Sequence, residues 1–199
     1  MSVMRFVIFG AVGFGIGGTI AGVCWPLAFV TGGASALLFI LSGGVGGASL
    51  GLALKDRRRT MSLTVMGIVG FSIGGIVALL VAFGIFAPIP ALSGSADYGV
   101  RVVMGLLGGA VVGGSMGLAF GDGRRIATLA VAGAVGFGTG VVLGAFFVRG
   151  IFGEDFLVGT AGTIVLYDLT GIIGGASLGA ALGYLENYRM AERRGPRVR

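Results

Sequence analysis

Glycines spaced four apart recur in one arrangement three times along this chain, each time inside an apolar run followed by arginines. Three runs carry GGVGGASLGLAL from Gly43, GAVVGGSMGLAF from Gly109 and GIIGGASLGAAL from Gly171. In register, Gly43, Gly47 and Gly51 align with Gly109, Gly113 and Gly117, and with Gly171, Gly175 and Gly179. The runs that precede these carry GAVGFGIG (10–17), GIVGFSIG (67–74) and GAVGFGTG (133–140). There Gly13 and Gly17 align with Gly70 and Gly74, and with Gly136 and Gly140. The chain reads as a two-helix unit used three times, over residues 1–59, 60–125 and 126–188, with a basic tail at 189–199.

Spacing by four keeps glycines on one side of a helix. In water each would cost about 1 kcal/mol relative to alanine. In hydrocarbon the backbone has no solvent partner, helix is enforced, and a missing side chain lets a neighbouring helix come close. The expected fold is therefore an all-α integral membrane protein, a six-helix transmembrane bundle of three glycine-zipper hairpins. Composition agrees. The 199 residues are 55% hydrophobic and 11% charged, against the roughly 25% charge of soluble domains.

Six apolar spans, each near the roughly 20 residues needed to cross a bilayer, are expected at about 6–24, 34–54, 62–86, 100–120, 126–148 and 161–185. All basic residues except Arg101 and Arg149 then fall on the side of the termini, which places both termini in the cytoplasm, with a plasma (inner) membrane as the expected location. The glycines lie toward that side, which suggests a bundle drawn tight inside and splayed into an outer vestibule. The first run matches the third and fifth, so it is read as part of the mature bundle rather than a signal peptide. Cys24 is the one cysteine and histidine is absent, which excludes an intrachain disulfide and histidine-based catalysis. No cofactor is implied. GFGIGG (13–18) fits a dinucleotide fingerprint, but no acid follows at the required distance and the expected context is not strand–turn–helix.

Few residues are candidates for chemistry. Asp168 in IVLYDLTG is the one acid well inside a span, and ionised groups in hydrocarbon must be paired or wetted. Arg101 and Arg149, near the outer surface, are its expected partners. Ser49, Ser115 and Ser177 recur at equal depth and are expected to bond backbone carbonyls rather than ring an axis. Phe14, Phe71 and Phe137 are read as packing knobs. Trp25, Tyr98 and Tyr184 suit the interfacial belts, Pro26, Pro88 and Pro90 are expected to end helices in outer loops, and Asp97, Glu154 and Asp155 are expected to be solvated. Three two-helix units resemble the layout of mitochondrial carriers, and glycine-rich hairpins resemble rotary ATPase proteolipids. The proline–acid–basic signature of the former is missing, and one copy alone carries the mid-span acid of the latter.

No nucleophile–base pair is recognisable, so an enzyme is not expected. The leading reading is a structural or assembly subunit in the lipid bilayer, packing within itself and against other membrane subunits or its own copies, with no nucleic-acid partner. The alternative is a channel or transporter with a vestibule near Asp168, a class in which internal repeats are common.

Overall fold

A computed structural model describes residues 2–31, 34–81, 96–153 and 160–193, which form six α-helices and, among the described residues, no strand. These are α1 (Val3–Thr31), α2 (Ala34–Leu54), α3 (Arg57–Leu80), α4 (Ala96–Leu118), α5 (Gly123–Phe152) and α6 (Thr160–Arg193). Five contain stretches long and apolar enough to cross a membrane, and α2 contributes the shorter apolar segment Ile40–Leu54. The outside of the bundle is apolar too. Met4, Ile8, Val12 and Ile16, one to a turn along α1, are each at least half exposed. A surface of that kind needs lipid against it.

Two charged turns share one geometry. Lys55 (φ 57) and Gly121 (φ 64) end α2 and α4 in the left-handed region, which glycine tolerates and lysine strains to reach. Asp56 and Asp122 follow, each accepting from a backbone N–H two residues on at 3.0 Å, and so cap α3 and α5. One expectation fails at Pro26. The sequence predicts a helix end in an outer loop there, yet α1 continues to Thr31. Gly18 and Gly22 sit on the backbone of Tyr167 and Ile164 of α6, and this packing carries α1 past the proline's missing donor.

The helices neighbour one another in a closed ring, in chain order, with α6 returning to α1. Three close approaches are reciprocal glycine pairs: Gly43 with Gly67, Gly109 with Gly133, and Gly175 with Gly10. A Cβ on any of the six would overlap the partner's carbonyl. These pairs join α2 to α3, α4 to α5 and α6 to α1. These interfaces link the end of one sequence unit to the start of the next. Interfaces within a unit add a serine contact, with Gly13, Gly70 and Gly136 lying under Ser49, Ser115 and Ser177. An apolar core fills the half of the bundle toward the basic end and takes side chains from every helix, among them Phe6, Leu50, Leu63, Met116, Leu129 and Leu178. Each of these six is at most 2% exposed.

Candidate functional site at the bundle axis

Phe14, Phe71 and Phe137 occupy matching positions in α1, α3 and α5, and their rings meet one another. The centroids lie 5.6 Å (Phe14–Phe71), 5.8 Å (Phe14–Phe137) and 6.0 Å (Phe71–Phe137) apart. The last two pairs are edge-on, which sets a positive ring edge on a negative ring face. Gly46 and Gly174 make room, since a Cβ on either would strike the ring of Phe14 or Phe137. Toward the basic end, the residues that follow the three serines, Leu50, Met116 and Leu178, are buried in the same core.

A ladder of alternating charge closes that end. Glu186 accepts from Arg125 Nη1 at 2.9 Å and from Arg59 Nη1 at 3.4 Å. Arg59 also meets Asp56 at 3.4 Å, and Arg125 meets Asp122 at 3.7 Å. Phe120 lies beneath both guanidiniums, 4.9 Å from that of Arg125 and 6.0 Å from that of Arg59. Arg125 and Glu186 are both buried, so their attraction is screened less than that of a surface pair. The ladder ties the starts of α3 and α5 to α6. Sequence reasoning counted Arg59 and Arg125 only among the basic residues on the side of the termini, assigned Glu186 no role, and missed the ladder. The available signal was spacing, because Glu186 continues the inward stripe of Leu178 and Leu182.

The predicted packing glycines all lie at helix contacts. Gly47, Gly113 and Gly179 face the carbonyls of Leu63, Leu129 and Phe6, and Gly171 faces that of Phe14. Gly51 and Gly117 face the backbone of Thr60 and Ile126. Gly17 lies on Ser42, Gly74 on Gly108 and Gly140 on Thr170. Their partners Gly10, Gly67 and Gly133 were visible in the shared motif but were not singled out. Ser49 and Ser115 donate to carbonyls three residues back, at 2.7 and 2.8 Å, and Ser177 donates to Ala132 O at 2.9 Å. No ring of hydroxyls forms from them.

Asp168 is half-buried between α6 and α1, where its Oδ1 accepts from Thr19 Oγ1 at 2.9 Å. Thr19 also lies 3.1 Å from Gly15 O in its own helix. Thr19 is the partner that sequence reasoning missed. Arg101 and Arg149 are both engaged with neighbours, and Arg101 lies within electrostatic reach of Tyr167, next to Asp168 in the chain. Among the described residues no group of three or more His, Cys, Asp or Glu could hold a metal. Tyr184 is exposed near the basic end. The readings of Pro88, Pro90, Glu154, Asp155 and tail residues 194–199 lie outside the described residues, as do those of the side chains of Trp25, Asp97 and Tyr98.

Fold and axis together define the class: an apolar, all-helical bundle of the membrane-embedded kind. Comparison with known protein families, curated proteins and solved structures finds no match.

Proposed function

We propose that this chain is a non-catalytic, multi-pass protein of the plasma (inner) membrane with a structural or assembly role. In this reading it is three glycine-zipper hairpins, both termini cytoplasmic, closed into one ring. The observation that carries it is the continuous core drawn from all six helices, with the Phe14–Phe71–Phe137 cluster inside it. Buried side chains packed in that half of the bundle fill space through which a solute would have to pass. The glycines are occupied by contacts within the chain, so partner subunits or a second copy would meet the aliphatic exterior. Orientation rests on the arginines. Reporter fusions after Arg59 and Arg125 should read cytoplasmic and a fusion at Gly153 external. A cytoplasmic signal at Gly153 would overturn the six-span reading.

Asp168 supports a second reading, a channel or transporter, because an intramembrane carboxylate with a hydroxyl partner is a common ion ligand. Reconstitution separates the two. The structural role predicts cation and anion leak no greater than in empty vesicles, together with partner subunits that co-purify in mild detergent. Asp168→Asn keeps an acceptor for Thr19 and should lose less than about 1 kcal/mol of stability. A flux through the unmodified protein that disappears in folded Asp168→Asn would establish the transporter instead.

A further inference from the structure

α6 is 34 residues long, against 21 for α2 and 23 for α4. Its last turns therefore run past the end of α4 and stand beside the start of α5. A pocket of about 280 Å³ opens between them, with Phe120 and Leu185 among its apolar lining and Arg124, Tyr188 and Arg189 among its polar lining. We propose that this pocket binds the phosphate oxyanion of an anionic glycerophospholipid.

The charges lining the pocket sort by commitment. Arg125 is held by Glu186 and Asp122. Asp122 is spent on Arg125 and on capping α5 through the N–H of Arg124. Glu192 is exposed and opposes an anion. Two guanidiniums remain. Arg124 lies with its centre 4.8 Å from the ring centroid of Tyr188 and within hydrogen-bond reach of that side chain, and it makes no ion pair among the described residues, so the rest of its five N–H donors can meet an anion. Arg189 makes no ion pair among the described residues. Two such forks match the paired oxygens of a phosphate.

The apolar lining favours a lipid over a free anion. Phe120, half-buried at the pocket, offers contact to glycerol and first acyl carbons, which inorganic phosphate lacks. Tyr184 and Tyr188, 59% and 40% exposed on adjacent turns, fit the headgroup level of a bilayer. The inference rests on the membrane placement proposed above and adds a lipid class to it.

Native mass spectrometry of the full chain in neutral detergent, titrated with phosphatidylglycerol or phosphatidylcholine, tests the site. One phosphatidylglycerol should be retained in preference to phosphatidylcholine. Arg124→Gln with Arg189→Gln should weaken that retention roughly tenfold or more, as expected when charge-assisted hydrogen bonds are lost. Arg189→Gln alone breaks no ion pair among the described residues and should give about threefold or more, so the result does not depend on the double variant. Arg57→Gln with Arg58→Gln removes equal charge from the exposed start of α3 and should change nothing. Equal weakening by both double variants would reduce the effect to diffuse charge and overturn the site, as would undiminished retention in the pocket variants. Displacement of the lipid by millimolar inorganic phosphate would overturn the lipid as its source. A failed membrane placement would look different, with folded protein recovered without detergent.

Discussion

Gly113→Leu should lower the unfolding midpoint of the detergent-solubilised protein far more than Leu107→Ala. A Cβ at Gly113 would overlap the carbonyl of Leu129, and a backbone carbonyl inside a helix cannot swing aside. α4 and α5 would have to separate, and the Gly109–Gly133 and Gly117–Ile126 contacts on the same face would open with them. Overpacking of a core usually costs about 1–3 kcal/mol. Here the obstacle is main chain along a whole interface, so a loss at or above the top of that range is expected. Leu107 is 39% exposed on α4, and its truncation should cost under about 1 kcal/mol, as at most surface sites. Equal tolerance of the two changes would show that close backbone approach does not hold the bundle together.

Glu186→Gln should be the most damaging change of a charged residue. Glu186 is the acceptor shared by Arg59 and Arg125, and Arg125 is 7% exposed. Removing one partner of a buried pair costs about 3–5 kcal/mol, chiefly because the other charge is left uncompensated. Asp122 still faces Arg125 at 3.7 Å, which puts the expected loss near the lower end, about 3 kcal/mol. Arg125→Gln combined with Glu186→Gln should recover part of it, since the stranded charge is gone. Thermal or denaturant unfolding reads all three. Glu192→Gln, an exposed control, should be neutral, and a Glu186→Gln protein equally stable would remove the ladder as a clamp.

Much of the fold is legible in the sequence because helix enforces a simple geometry. Glycine every fourth residue fixes a face, and a run near 20 apolar residues between charges marks a span. Ser49 bonds within its own helix, which is local physics and readable locally, whereas Ser115 lies between Val112 O of its own helix and Met66 O of α3. The partner across each glycine face is less legible. A residue without a side chain carries no mark of what it touches, so the pairing of Gly175 with Gly10 emerges only from the closed ring. Long-range polar contacts hide for another reason. Thr19 and Asp168 are 149 positions apart, and neither spacing nor composition connects them. Glu186 escaped notice because an acid near a span end resembles ordinary interfacial charge until the length of α6 buries it. Pro26 shows tertiary packing overriding a local stop signal.

The filled axis is tested most directly by water-borne labelling of its core toward the basic end. With Cys24 replaced by serine, Met116→Cys places a thiol at a position 1% exposed in the core. A membrane-impermeant maleimide, applied to intact vesicles of either orientation, should leave that thiol unmodified until the protein is denatured. Glu192→Cys, on the exposed end of α6, should label at once from the side that carries the termini. Labelling of Met116→Cys at a comparable rate in the folded protein would mean water reaches the axis, and the structural reading would give way to a conducting one.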